Sequence, residues 1–316
     1  FRGVMSGNDL SRSAFEELKR WNVNLLRYQM RPTGEEGRKI NSPEKYMAWL
    51  DQAAEHLEKK ILPLAREFGI QVVIDIHFGK RIYRGTDNRL PNATSLELLE
   101  AAWRKLAARF RGNPAIYGYD LLNEPFLMPK REGMLNRFYE KVTEAIRQVD
   151  PNHILFIEGD FFSMDFTDIQ LPDDEQTALT FHFYPTVWDE SLMEKDYDAA
   201  KRVRIEEEQL SKFDKLRERF GRPALCGEAG IDIRRDDIPF SMQLIEENLE
   251  LFRKYRLSWT LWSYKDSQWM GVAFPKNDTP WIRFTNKIRS VWSHRSQMKL
   301  ADELMDEIGS KYTDNL

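Results

Sequence analysis

The sequence has a single cysteine, Cys226, so no intrachain disulfide can form and cysteine usage does not assign a redox compartment. It also lacks any apolar run near the ~18 residues that would suggest a membrane-spanning helix. No glycine-rich turn follows an early apolar run, which argues against a dinucleotide-binding open sheet. Charge of one sign is scarce as well. A net charge of −4 spread over 316 residues offers no electrostatic footprint for nucleic acid or an anionic membrane. No Ser/Gly linker, low-complexity tract or change of composition divides the chain. The first residue is Phe1 rather than Met, with no signal-peptide pattern, and is read as a trimmed terminus that any export signal would have preceded.

Aromatic residues, by contrast, are plentiful. They make up 12% of the chain and include nine tryptophans, which suit both a large core and a surface on which the apolar faces of sugar rings stack. Short apolar runs alternate with longer amphipathic ones. The runs Arg2–Gly7, Val23–Met30, Gln71–Phe78, Ala115–Asn123, Ile154–Glu158, Thr177–Tyr184, Pro223–Glu228 and Leu257–Tyr264 predict eight strands. Between them, helical patterns cover Ser11–Trp21, Pro43–Phe68 (kinked or divided at Pro63), Leu96–Phe110, Met134–Val149, about Asp198 to Phe220, and Ile238–Tyr255. A last amphipathic segment, Trp281–Ile308, closes the chain, and Tyr312–Leu316 reads as a polar tail. Eight strand–helix units in this length predict an α/β fold, a (β/α)8 TIM barrel, as a single domain over residues 1–316.

The C-terminal ends of the strands carry polar or aromatic residues: Arg27, His77, Asn123 and Glu124, Glu158, His182 and Tyr184, Glu228, and Trp262. Each has an ordinary structural explanation when taken singly. A histidine at a strand end is usually a satisfied core residue, Trp262 usually belongs to a core, and Glu158 reads as a structural partner for an arginine. Arg27, inside an apolar run, requires a carboxylate if buried. Taken jointly they are harder to dismiss, because a barrel gathers all eight strand ends at one mouth. Pro125 lacks an N–H and cannot extend the fourth strand's ladder, so Glu124 is delivered to that rim.

Two carboxyls across a barrel mouth suit retaining glycoside hydrolysis, in which one protonates the leaving oxygen and the other attacks the anomeric carbon. Glu124 and Glu228 are the candidates, and their environments have to push their titrations apart. Arg27 is placed to keep Glu228 ionised. His182 and Tyr184, two apart on one strand, share a face, with the phenol directed at the nucleophile. Asn123 and Glu124 are adjacent, so both serve one site only if the strand ends or bulges there.

These residues, in this order and on these strands, resemble glycoside hydrolase family 5, the cellulase family of the retaining barrel clan. The resemblance runs from Arg27 through His77, Asn123-Glu124-Pro125, His182 and Tyr184 to Glu228 and Trp262. It implies Glu124 as acid/base, Glu228 as nucleophile and Asn123 on the sugar 2-hydroxyl. It further implies Arg27 and Tyr184 bracing the nucleophile, His77 and His182 lining the cleaved sugar's site, and Trp262 as its floor, with a cis peptide at Trp262–Ser263. The sequence departs from the family where Phe78 and Gly79 follow His77 in place of a second histidine, and where Met5 replaces a frequent asparagine. Lys80, Arg81 and Arg84 load the loop after the third strand with positive charge, and Lys265 is expected to reach a hydroxyl beside the central site.

The function expected is that of a retaining β-glycosidase, foremost an endo-β-1,4-glucanase. A second reading, from the basic loop, is an exo-acting or furanoside-cleaving enzyme with a narrowed cleft. A non-catalytic carbohydrate-binding barrel and a metal hydrolase using His77 and His182 are the competitors from other classes. Trp188, Trp269, Trp281, Tyr83 and Phe161 are candidate flanking platforms or, equally, packed surface residues. The expected partner is an oligo- or polysaccharide, with no cofactor, metal, nucleic acid or membrane. A monomer is expected, and the family resemblance implies a secreted or periplasmic enzyme.

Overall fold

The computed structural model describes residues 1–7, 10–32, 34–77, 93–126, 133–231, 237–265 and 270–272. Phe78, Gly79, Lys80, Arg81, Tyr83, Arg84, Trp269, Trp281 and the closing amphipathic segment, for which the sequence raises expectations, lie outside these residues.

Eight parallel strands close into a barrel in chain order: β1 (Arg2–Ser6), β2 (Leu25–Met30), β3 (Gln71–Ile76), β4 (Ile116–Asp120), β5 (Ile154–Glu158), β6 (Thr177–Phe183), β7 (Ala224–Ala229) and β8 (Ser258–Leu261). β8 pairs back onto β1, Gly3 opposite Thr260. This is a (β/α)8 barrel. The strands read as apolar because both of their faces are covered; every residue of β2 and of β6 is buried.

The pleat sorts each strand into two sets. One set packs outward against the helices and supplies most of the core, with Tyr28, Ile74, Tyr119, Ile157, Leu179 and Phe181 among its fully buried members. The other set fills the barrel in layers. Its lower layer is apolar, built from Leu25, Val73, Phe156, Ala178 and Leu225. Two residues further along β2, β3, β5 and β6 come Arg27, Asp75, Glu158 and Thr180, all wholly buried. The interior therefore changes from hydrocarbon to ionic within one pleat. That change places the chemistry at the strands' C-terminal end.

Two details of these elements have clear physical causes. The long helix predicted over Pro43–Phe68 is divided into Pro43–His56 and Leu62–Phe68 by a π turn, Leu57–Ile61, in which the Leu62 N–H reaches back to the Leu57 carbonyl. The wide turn absorbs Pro63, which has no N–H to donate and would crowd a regular helical turn. β4 stops at Asp120 rather than running to Asn123. Beyond it, the Leu121 carbonyl is taken by the indole N–H of buried Trp103 at 2.9 Å, so Leu121–Glu124 leave the sheet with that carbonyl satisfied.

Candidate active site

Arg27 is the hub. Its guanidinium is fully buried and donates from Nε to Asp120 Oδ2 at 2.8 Å. From Nη1 it donates to Glu228 Oε1 at 2.7 Å, and from Nη2 to Asn123 Oδ1 at 2.9 Å and Glu158 Oε1 at 3.2 Å. Asp75 lies 3.4 Å from Nη1, and the Met5 sulfur 3.6 Å from the same nitrogen. Four carboxyls thus converge on one cation. Burial alone would lower the arginine's pKa, but Asp120, Asp75, Glu228 and Glu158 together raise it well above its ordinary value. The penalty of desolvating such a group is met only by this density of partners.

The carboxyls around it are driven apart. Asp120 is pushed well above the ordinary aspartate range, by burial first and then by Glu158 and Asp75. Asp75 is lowered despite its burial, because Arg27 and His77 face it. Burial raises Glu228, while His182 and Arg27 pull it back towards ionisation.

Glu228 reaches this position through a bulge. β6 and β7 pair Phe181 with Cys226, then His182 with Glu228, leaving Gly227 unmatched. Without that extra residue the inward face would pass from Leu225 to residue 227; with it, Glu228 points into the barrel. Only glycine fits there, since a Cβ would come within 2.3 Å of Thr180 Oγ1. Both carboxylate oxygens of Glu228 are engaged, Oε1 by Arg27 and Oε2 by the Tyr184 hydroxyl at 2.9 Å.

Glu124 lies at the end of the chain that leaves β4, with φ of +47°, a left-handed conformation uncommon for a residue with a side chain. The Glu158 carboxylate secures it by accepting its backbone N–H at 2.6 Å. The turn places the Asn123 oxygen on Arg27 and a Glu124 oxygen 3.1 Å from His182 Nδ1. The condition set by the adjacency of Asn123 and Glu124, that the strand end before them, is met.

His182 is wholly buried between three carboxyls: Glu124, Glu158 at 3.4 Å and Glu228 at 3.5 Å. Burial would lower its pKa, but Glu228, Glu158 and Glu124 outweigh that and raise it above the usual histidine value. His77 sits one step away, its Nδ1 2.9 Å from Asp75 Oδ2 and its ring 5.5 Å from that of Trp262. The peptide Trp262–Ser263 is cis.

Arg27, Asn123, Glu124, His182, Tyr184 and Glu228 are thus brought into one hydrogen-bonded network, and His77 and Trp262 adjoin it through Asp75. Lys265 is not part of it. Its ammonium stacks 4.6 Å above the Tyr264 ring and lies 3.8 Å from Glu17 on the outer helix Arg12–Arg20, so the expectation that it reaches the central site is corrected. The sequence reading missed Asp75, Asp120 and Gln29, whose amide lies 3.4 Å from His77 Nδ1. Period two was the available signal, since Gln29 follows Arg27 by two and Asp75 precedes His77 by two. Glu158, read only as an arginine's partner, does pair with Arg27 and also holds Glu124.

One oxygen of Glu124, one of Glu228 and a nitrogen of His182 lie within 4.8 Å of one another. Such a triad is spaced to share a cation, but here both oxygens of Glu228 are already taken by the donors Arg27 and Tyr184. The arrangement suits an electrophilic carbon between two carboxyls better than a metal ion. An approach this close is compatible with the ~5–5.5 Å carboxyl separation of retaining glycosidases.

Comparison with known proteins finds a family and a shared fold. The sequence profile of the cellulase family, glycosyl hydrolase family 5, matches residues 3–268. A beta-xylosidase of Phanerodontia chrysosporium is 29% identical over 252 residues, covering 72% of this chain and 51% of that protein. An endoglycoceramidase of Hydra vulgaris is 29% identical over 182 residues, 52% of this chain and 31% of that protein. The chain thus spans about half the length, or less, of these curated relatives. Among solved structures, Thermotoga maritima Cel5A in complex with mannotriose superposes with a TM-score of 0.67 at 16% identity, over 84% of this chain and 90% of that one.

Proposed function

The chain belongs to glycosyl hydrolase family 5, and from that membership and the geometry of the mouth we propose that it is a retaining β-glycosidase with Glu124 as acid/base and Glu228 as nucleophile. The observation that carries the proposal is the pair of carboxyl oxygens within 4.8 Å, one carboxyl braced by Arg27 and Tyr184 and the other in contact with His182.

In the first step Glu228 Oε2 or Oε1 attacks the anomeric carbon. The glycosidic C–O bond breaks towards the leaving oxygen, and Glu124 gives that oxygen its proton. A glycosyl ester on Glu228 results. In the second step Glu124, now a carboxylate, takes a proton from water, whose oxygen attacks the same carbon and releases Glu228. Two inversions restore the β configuration. Arg27 and Tyr184 stabilise the carboxylate that leaves in the second step, and Asn123, beside the acid, is assigned to the sugar 2-hydroxyl. His77 and His182 line the cleaved sugar and Trp262 forms its floor.

The substrate is proposed to be a β-linked oligo- or polysaccharide, with an endo-β-1,4-glucanase as the first candidate. This rests on the family's cellulase description and on the endoglucanases among the similar proteins. A polymer of that kind is met outside the cell, so a secreted or periplasmic, monomeric catalytic domain is proposed. No helix among the described residues is long and apolar enough to cross a membrane.

The test is hydrolysis of a panel of polymeric β-glycans beside short aryl β-glycosides, with Glu228→Ala as control. Mixed oligomers from a polymer support the endo reading and name the backbone sugar. Single units released only from short substrates favour exo action, and no turnover above the control contradicts the proposal.

A further inference from the structure

Beside Glu124 the chain contains a backbone feature that catalysis as described does not use. After β5, the residues Phe161, Phe162 and Ser163 all have positive φ, at 52°, 61° and 61°. Three successive left-handed residues with side chains make one turn of left-handed helix, a conformation that L-residues adopt only at a cost and that persists only where its surroundings over-determine it.

The surroundings here do so. Asp160 and Asp165 exchange backbone hydrogen bonds of 2.8 Å, closing the turn at its base. The Asp160 carboxylate accepts the Phe161 N–H at 2.7 Å. Ser163 donates its hydroxyl to the Thr180 carbonyl on β6 at 2.9 Å. Gly159, where a Cβ would come within 2.7 Å of the Asp165 carbonyl, lets the two arms meet. Glycine at 161 or 162 would relieve the strain; the sequence has phenylalanine at both.

What the strain achieves is the placement of rings. The Phe162 N–H donates to the Pro125 carbonyl at 3.0 Å, which fastens the turn to the segment that carries Glu124. Phe126, two residues past Glu124, then lies with its ring 4.7 Å from that of Phe162 and 5.5 Å from that of Phe161, at interplanar angles of 40° and 33°. Phe161 remains 49% exposed, the most exposed large hydrophobic side chain among the described residues. An apolar shelf results, tied by that hydrogen bond to the segment that carries Glu124.

We propose that Phe161 and Phe126 form the leaving-group site, and that it selects an aglycone with an extended apolar face, alkyl or lipid-like in chemistry. The proposal rests on the glycosidase reading above. The departing oxygen is the one that Glu124 protonates, so the group attached to it leaves past Glu124 and over this shelf. The three rings carry no hydrogen-bonding group, unlike tryptophan or tyrosine. Among the described residues the shelf offers hydrocarbon contact and little for hydroxyls.

The test is kcat/KM for butyl and octyl β-glycosides of the glycon found in the glycan panel, beside the corresponding disaccharide, for wild type, Phe161→Ala, Phe126→Ala and Met242→Ala. Butanol and octanol are equally poor leaving groups, so their ratio reports contact alone. The wild-type octyl-to-butyl ratio is expected to be about tenfold or more, as hydrocarbon burial predicts for even partial contact. Phe161→Ala and Phe126→Ala are expected to lose most of it, and Met242→Ala, which removes an exposed apolar side chain from an outer helix, to retain it. A ratio equal in all four proteins overturns the shelf. Loss of disaccharide rather than octyl selectivity in Phe161→Ala overturns the apolar assignment in favour of a sugar ring. If wild type cleaves no β-glycoside above the Glu228→Ala control, the glycosidase reading itself fails, and the leaving-group site with it.

Discussion

The carboxylate of Glu158 accepts the backbone N–H of Glu124 at 2.6 Å, so a residue at the end of one strand fixes the main chain of the proposed acid at the end of the next. The same side chain accepts from Arg27 at 3.2 Å, and its backbone carbonyl accepts the buried Tyr139 hydroxyl at 2.8 Å. Both its oxygens are therefore committed to donors. Glu124, at positive φ, relies on that acceptor to stay in place.

Glu158→Gln tests this support. The amide keeps the shape but sets an NH2 against a donor and removes a charge from the Arg27 cluster, a loss of about 1–3 kcal/mol. The expected outcome is a fall in kcat of about ten- to hundredfold with a smaller change in KM, together with a lower Tm. Steady-state kinetics on an aryl glycoside check it; wild-type kcat in the variant would remove Glu158 from the account.

His182 is expected to set the acid limb of the pH profile. It lies 3.5 Å from Glu228 Oε2, its pKa raised by the carboxyls around it, and its charge pulls down a carboxyl that burial pushes up. His182→Asn removes that charge, so Glu228 rises further and the acid limb of kcat/KM moves to higher pH, by about one unit or more. An unmoved limb would show that Arg27 alone keeps Glu228 ionised.

Glu124→Gln removes the proton donor and should expose the leaving group's own chemistry. Turnover of unactivated glycosides is expected to fall by about 10²–10⁴, while kcat/KM for a dinitrophenyl glycoside, which needs no proton, changes little. Added azide should restore kcat on the activated substrate by replacing the water that Glu124 no longer activates. Equal losses on both substrates would assign the acid elsewhere.

Away from the mouth, Glu206 carries a separate pH effect. It is fully buried between the outer helices Ala199–Phe220 and Ile238–Lys254, where burial and then Glu247 raise it to about 8. Its Oε1 and the side-chain oxygens of Gln209 and Asn248 have no donor among the described residues, a shortage that a protonated carboxyl relieves. In the unfolded chain the group titrates near 4.5. The folded state therefore holds the proton more tightly, and stability is lost as pH rises from about 5 through 8, by an amount on the order of a few kcal/mol. Glu206→Gln supplies donors at every pH and should flatten that slope while raising Tm at pH 8. Thermal melts from pH 5 to 9 check it; parallel curves for the two proteins would contradict it.

Much of this site was legible because burial makes polar residues conspicuous. Arg27 inside an apolar run demanded a carboxylate, and the eight strand ends could be listed from the alternation of apolar runs. Glu228 and Glu158 could be read as partners for an arginine, but Asp75 and Asp120 could not, because they lie within apolar runs of their own and only barrel closure brings them to Arg27. The early end of β4 and the bulge at Gly227 were hidden for a related reason, since both depend on what the neighbouring strand presents. Lys265 was misplaced because the reading followed strand order past Trp262, whereas the Tyr264 hydroxyl bonds to Glu17 and turns that stretch towards the outer helix. Phe161 was noted as a surface aromatic, but nothing in the letters Phe-Phe-Ser signals a left-handed turn.

The most direct test of the central claim is proton NMR of the first product formed from a β-glycoside, with Glu228→Ala beside wild type. The account predicts that the β anomer appears first, that the α anomer follows only by mutarotation, and that Glu228→Ala forms neither at a measurable rate. An α anomer appearing first, or a β product formed by Glu228→Ala at the wild-type rate, would contradict the assignment of Glu228 as the nucleophile of a retaining reaction.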